Sequence, residues 1–193
     1  MPFGRVDSVQ QSMKKEEQRK DMARRIAKFH KVSYEQFREG FEDSFGKREE
    51  EEIQRIYDGI LLPKRATAGS AGYDFFTPVE ISLKPGDTVK LPTGICAEME
   101  SDWVLKCYPR SGLGFKYRLQ LNNTVGIIDS DYFYSDNEGH IFAKITNDSR
   151  EGKTVCLKAG SGFMQGIFVE YGITVDDCAT AVRNGGFGST TKN

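Results

Sequence analysis

A chain of 193 residues, 38% of them hydrophobic, is long enough for one domain with its own core and an additional element. Its 27 basic and 28 acidic residues leave a formal net charge of -1, which excludes a broadly basic nucleic-acid binder. No apolar run approaches the roughly 20 residues that a membrane-crossing helix needs, and the polar stretch from Met1 to Lys20 has no signal-peptide character.

From Ser12 to Arg25 the chain is so highly charged that it reads either as a solvated helix or as disordered. A firm helix begins at Ser33. Ser33 is suited to cap the first turn and Gln36 to reach back, a capping box, with Val32 and Phe37 at staple positions. Tyr34, Phe37, Phe41 and Phe45 recur at helical spacing, and Gly46 ends the run. That aromatic stripe calls for a cover, from the rest of the chain or a neighbouring subunit. The run from Arg48 to Glu52 opens a second helix through Ile53, Ile56 and Tyr57, its acidic start matched to the helix dipole.

Composition changes near Pro63, from charge-rich to short apolar runs broken by Gly and Pro. Ile81 and Leu83 alternate before the turn Lys84-Pro85-Gly86-Asp87, and Val89 and Leu91 alternate after it. Further strands are expected from Trp103 to Tyr108, His140 to Asn147, Thr154 to Leu157 and Phe163 to Val169. Many short strands joined by such turns indicate a mainly β sandwich, jelly roll or barrel. Three segments are therefore expected: residues 1–60 as a helical extension, 61–182 as the β domain and 183–193 as a glycine-rich arm. Cys96, Cys107, Cys156 and Cys178 are scattered, with no C-x-x-C pair, and read as buried free thiols in a reducing cytoplasm rather than a zinc site.

Four segments carry chemistry. Pro109-Arg110-Ser111-Gly112 combines a strand-ending proline, a guanidinium, a hydroxyl and a flexible glycine, the parts of a phosphate-binding turn. A structural surface turn is the alternative. In Gly126-Ile127-Ile128-Asp129-Ser130-Asp131-Tyr132 an apolar strand leads to two carboxylates and an aromatic ring, and Asp129 is suited to hold and deprotonate a water, the alternative being a turn with capping aspartates. Just before it, the Asn123 amide has both the donor and the acceptor needed to read an imide edge. Gln165, in Gly162-Phe163-Met164-Gln165-Gly166, adds a neutral amide within a strand. The tail, Arg183-Asn184-Gly185-Gly186-Phe187-Gly188-Ser189-Thr190, adds an arginine, a ring and hydroxyls on a pliable backbone.

Together with Ser70-Ala71-Gly72-Tyr73-Asp74, these segments resemble, in order, the five motifs of the homotrimeric dUTP diphosphatases, or dUTPases. The resemblance covers about Leu61 to Asn193 and implies a jelly-roll or β-clip subunit in a trimer with active sites at subunit interfaces. The implied enzyme is a Mg²⁺-dependent hydrolase of nucleotide metabolism that converts dUTP to dUMP and pyrophosphate. By position, Asp129 resembles the carboxylate that activates the attacking water, Asn123 the uracil reader, and Tyr132 the ring lying against deoxyribose. Arg110, Ser111, Gly112 and Gln165 resemble phosphate contacts, and Asp74 an acid near the metal's water shell. Phe187 matches the ring stacked on uracil, while Arg183, Ser189 and Thr190 match contacts to the terminal phosphates.

The chain departs from the family in a loop lengthened by residues 133–138 before Gly139, which brings Tyr134 as well as Tyr132 into question at the sugar. Two other readings attach to the same motifs. One is a dCTP deaminase-like enzyme, disfavoured by Asp129, Asn123 and the Phe187 tail. The other is a nucleotide-responsive regulator that holds a repressor. No membrane or nucleic-acid partner is expected.

Overall fold

The structure, a computed structural model, describes residues 24–185. Most of the charged Ser12–Arg25 stretch, and Phe187, Ser189 and Thr190, lie outside the described residues.

Helix α1 (Tyr34–Phe45) starts at the expected cap: the Ser33 hydroxyl accepts from the Gln36 N–H at 3.2 Å. The reciprocal half of the capping box is different. The Ser33 N–H is taken by the carboxylate of Glu138, 105 residues away, at 2.6 Å. Gly46 closes the helix by donating its N–H to Glu42 O. Helix α2 (Glu50–Asp58) follows, with three glutamates in its first turn. The aromatic stripe finds its cover within the chain: Phe37 and Phe41 are buried, and Tyr34 and Phe45 pack against the same core.

A strand that the sequence did not announce precedes α1. Strand β1 (Ala27–Lys31) pairs antiparallel with β6 (Ile95–Met99). Its own pattern is too polar to declare a strand; pairing with β6 and the stacking of Phe29 on Tyr73, Phe75 and Phe168 make it one. The described part of the expected helical extension is thus a strand followed by two helices. Val32, Phe37, Phe41, Ile53 and Ile60 join the same core as Phe75, Leu91, Leu105, Leu119, Ile145 and Phe163. The change of composition near Pro63 is no break in packing.

The remainder is mainly β. Strands β2 (Lys64–Arg65), β3 (Tyr73–Phe76), β12 (Gly162–Glu170), β7 (Trp103–Pro109) and β9 (Gly126–Asp129) form a five-stranded sheet in that spatial order. Strands β5 (Thr88–Pro92), β10 (Phe142–Asn147) and β8 (Leu119–Leu121) form a second sheet, and β4 (Ile81–Leu83) pairs with β11 (Val155–Leu157). Every strand expected from alternation is present. The turn Lys84–Asp87 is closed by Asp87 N–H to Lys84 O at 2.9 Å, with Gly86 at φ 88°. Of the four cysteines, all free, Cys96 and Cys107 are buried as expected, whereas Cys156 and Cys178 are exposed. Cys156 falls on an outward-facing position of the short β11, and Cys178 lies in the strandless segment after β12.

His140 is fully buried beneath α1, its ring 4.2 Å from Phe142 and 6.4 Å from Phe37, centroid to centroid. Its Nε2 accepts from the Gly94 N–H at 2.9 Å, which requires the ring to be uncharged on that nitrogen. Burial, aided by the Lys90 charge, pushes its pKa from 6.5 down to about 3. The folded state therefore refuses a proton that the unfolded chain accepts below pH 6.5. This contribution to stability is complete above pH 6.5 and is lost as pH falls toward 3. Denaturant unfolding at pH 7.5 and pH 5 is expected to differ by about 2 kcal/mol from this group. His140→Gln, lacking a titrating ring, is expected to shrink that difference; an unchanged pH dependence would show that other groups carry it.

Candidate active site

Two polar clusters stand at opposite ends of strand β7. The first is built by register. Asp74 on β3 lies opposite both Lys64 on β2 and Gln165 on β12, and Gln165 lies opposite Tyr108 on β7. Directly opposed residues share a face, so Lys64, Asp74, Gln165 and Tyr108 form one polar row. Arg110, just past the end of β7, reaches over this row. Its Nε lies 3.2 Å from Asp74 Oδ1, and its Nη1 donates to Gly162 O at 3.4 Å.

Two glycines make the close approach feasible. A Cβ on Gly72 would sit 2.4 Å from Cδ of Gln165, and one on Gly162 would sit 2.6 Å from Nη1 of Arg110. Both side chains therefore lie flat on backbone, and any larger residue would push them off.

The segment read as a turn at Pro109-Arg110-Ser111-Gly112 is the first turn of a short helix, α3 (Ser111–Tyr117). The N–H groups of Leu113 and Gly114 both donate to Arg110 O at 3.0 Å, which winds the chain immediately. No side chain caps this helix, and the first N–H groups of a helix have no acceptor within it. Arg110, Ser111, Gly112, Ser161 and Gly162 line an open depression of about 450 Å³ beside it. Nothing stands within 4 Å of the Cβ position on Gly112. The combination of guanidinium, hydroxyl, free N–H groups and open space suits an anion with several oxygens.

The second cluster surrounds Asp129, the last residue of β9 and the cap of a 3₁₀ turn (Ser130–Tyr134). Asp129 and Asp131 are about half-exposed, and Arg183 binds both. Its Nη2 donates to Asp129 Oδ2, and its Nε donates to Asp131 Oδ1 at 2.9 Å. The Arg183 guanidinium also lies 5.8 Å from the centre of the Tyr132 ring. Tyr132 is 5% exposed, and its hydroxyl donates to His140 O at 2.8 Å while accepting from the Asn137 amide at 2.8 Å. Burial raises the Tyr132 pKa, so the phenol stays protonated at neutral pH. Tyr134, by contrast, is 77% exposed and stacks edge-on with Phe133.

Asn123 is exposed in the turn before β9, where Thr124 adopts φ 66° and the Val125 N–H returns to Asn123 O at 2.7 Å. The neighbouring Asn122 is occupied, its amide oxygen accepting from the Thr146 hydroxyl at 2.8 Å.

The two clusters do not meet within one chain. Asp129 pairs with Val104, at the start of β7, whereas Arg110 follows its end. At about 3.3 Å per residue the two backbones are about 20 Å apart. The expected grouping of Asp74, Arg110, Ser111, Gly112 and Gln165 is present, and so is that of Asp129 with Tyr132. Arg183, expected on phosphate, pairs with Asp129 and Asp131 of its own chain. Lys64 and Tyr108 were missed; each follows an ordinary strand pattern, and only the register brings them beside Gln165 and Asp74.

The fold is mainly β, with an arginine-and-glycine cluster suited to an anion and a separate aspartate–tyrosine cluster. The dUTPase family model matches residues 58–191, and the chain belongs to the dUTPase family. It is 41% identical over 135 residues to the deoxyuridine 5'-triphosphate nucleotidohydrolase of Lactococcus lactis, covering 68% of this chain and 89% of that one. The Escherichia coli O9:H4 enzyme of the same name is 36% identical over 142 residues, with 69% and 89% covered. Among solved structures, the dUTPase of Streptococcus mutans superposes with a TM-score of 0.54 at 40% identity, covering 62% of this chain and 91% of that chain. The dUTPase of Staphylococcus aureus phage phi11, 17% identical, shares the fold with a TM-score of 0.55 over 86% of this chain and 99% of that chain.

Proposed function

We propose that this protein hydrolyses dUTP to dUMP and pyrophosphate at sites assembled between copies in a homotrimer. The observation that carries the reading is the division of labour along β7. A phosphate-suited cluster and a carboxylate cluster, each complete in its own terms, stand about 20 Å apart. A second copy that brings its Arg110 end to the Asp129 end of the first joins them. Phe115 and Ile127, beside the two clusters, are exposed and offer apolar surface for such contacts.

In this reading Asn123 pairs with the uracil edge and the Tyr132 ring packs against deoxyribose, leaving no room for a 2'-hydroxyl. Arg110, Ser111, Gly112 and Gln165 bind phosphate oxygens. Asp129 orients a water and accepts its proton as the oxygen attacks the α-phosphorus. The bond from that phosphorus to the bridging oxygen breaks, and pyrophosphate leaves. Positioning and charge neutralisation supply most of the rate in such a transfer. Arg183 exchanges Asp129 for the terminal phosphates, which frees the carboxylate. Phe187 closes over the base, with Ser189 and Thr190 on the phosphates.

The donor set fits a Mg²⁺ carried on the triphosphate. Among the described residues no three acidic, His or Cys side chains converge as a cage, and Asp74 is held by Arg110 as a single outlying carboxylate. Mg²⁺ is commonly bound through substrate phosphates and retained waters with one or two carboxylates nearby. When bound, the ion supplies charge neutralisation on the leaving pyrophosphate. No helix among the described residues is long and apolar enough to cross a membrane, and unpaired cysteines agree with a reducing cytoplasm.

The test is product release from dUTP, dCTP, dTTP and UTP, with and without Mg²⁺. Pyrophosphate from dUTP alone is expected, and ammonia from dCTP without pyrophosphate overturns the assignment. Removing residues 183–193 is expected to lower dUTP turnover about a hundredfold or more, since a phosphate-binding arginine and the closing arm go together. The midpoint of thermal unfolding should move by less than about 2 °C, because none of the described residues 183–185 belongs to the buried core. A large drop in that midpoint would instead make the arm a structural strap.

A further inference from the structure

The turn that carries Tyr132 is held from behind by residues to which the reaction above gives no part. Glu138, in the lengthened loop, sends its carboxylate to the N-terminus of α1. Its Oε1 accepts from the Ser33 hydroxyl and its Oε2 from the Ser33 N–H, both at 2.6 Å. The same hydroxyl accepts from the Gln36 N–H, so one serine caps the helix and grips the loop. A carboxylate is favoured here by the unpaired N–H groups and the dipole of a 12-residue helix. Glu138 also adopts φ 56°, a left-handed conformation unusual for a residue with a side chain. The grip offsets that cost.

From Glu138 the connection to Tyr132 is short. The Glu138 N–H donates to Ser135 O at 2.8 Å, and the Ser135 N–H donates to Tyr132 O at 3.1 Å. The adjacent Asn137 donates its amide to the Tyr132 hydroxyl at 2.8 Å, and that hydroxyl donates to His140 O at 2.8 Å. On its other side, the Tyr132 ring faces Arg183 and the Asp129 cluster. The extension therefore reaches the site through one carboxylate and one loop.

We propose that Ser33 and Glu138 are positioning residues for sugar selection, fixing the Tyr132 ring through the 133–139 loop. The inference rests on the dUTP reading of the Asp129 and Tyr132 cluster. Neither residue touches the nucleotide; each acts through Tyr132.

The test compares kcat/KM for dUTP and for UTP, with thermal unfolding measured alongside, in the wild type, Glu138→Ala, Ser33→Ala and Ser33→Thr. In the alanine variants the dUTP-to-UTP ratio is expected to fall about tenfold, the scale of a small misplacement of a positioning group. Ser33→Thr keeps a hydroxyl and a backbone N–H, and is expected to retain the wild-type ratio. This pair decides the matter if Glu138→Ala does not fold. Alanine variants that melt earlier yet keep the wild-type ratio overturn the inference, because a purely structural clamp lowers stability without altering selectivity. A wild type inactive on dUTP overturns the site reading and this inference together; an active one with unchanged variant ratios overturns this inference alone.

Discussion

Asp129→Asn is expected to lower kcat for dUTP about a thousandfold, within the usual range for loss of a general base. The amide keeps the size and polarity of the carboxylate but has no oxygen able to take the water's proton. Binding is expected to respond differently. In the free protein Arg183 is engaged by Asp129 and Asp131, and the substitution weakens that engagement. An arginine released toward phosphate would strengthen the hold on a non-hydrolysable dUTP analogue, or at least leave it unchanged. Steady-state kinetics and calorimetric titration with the analogue separate the two effects. A variant with wild-type kcat would remove Asp129 from the chemistry.

A larger qualitative effect is expected from mixing two dead proteins. Arg110→Ala removes the guanidinium from one cluster, and Asp129→Asn disables the other, so each homo-oligomer is inactive. If a site takes Arg110 from one subunit and Asp129 from another, subunits exchanged at equal ratio regenerate intact sites. Random pairing gives half of the sites an intact Arg110 and half of those an intact Asp129, about a quarter overall. Activity near a quarter of wild type is therefore expected after co-expression or co-refolding. If the mixture stays inactive although mixed oligomers have formed, both residues serve a site within one chain, and the about 20 Å gap along β7 needs another explanation.

Local rules made much of the fold legible. Ser33, the aromatic spacing of α1 and the alternating runs of β4, β5, β7 and β12 all announced their elements, because cap chemistry and side-chain period act over a few residues. Strand β1 was not legible, since it exists through its pairing with β6 and the burial of Phe29. Nor was the partner of Ser33: local sequence proposed Gln36, and a carboxylate 105 residues away took the N–H. The residues of the candidate site were named from their chemistry and motif order, but their arrangement was not. That Gln165 stands between Asp74 and Tyr108, and that Asp129 stands at the far end of β7 from Arg110, are facts of strand register. Register depends on contacts across the whole sheet, which no short window contains.

The joining of the extension to the β core means that the stretch matched by the family model and the folding unit differ in length here. The family match begins at residue 58, yet Val32, Phe37, Phe41 and Ile53 are sealed inside with the rest. Deleting them forfeits about 10 kcal/mol of apolar burial at about 2–3 kcal/mol per side chain, comparable to the whole margin of a typical domain. It also strips the cover from β6, leaving a bare strand edge open to sticking between molecules. A fragment trimmed to the start of the family match is thus more prone to aggregate than to serve as a minimal enzyme.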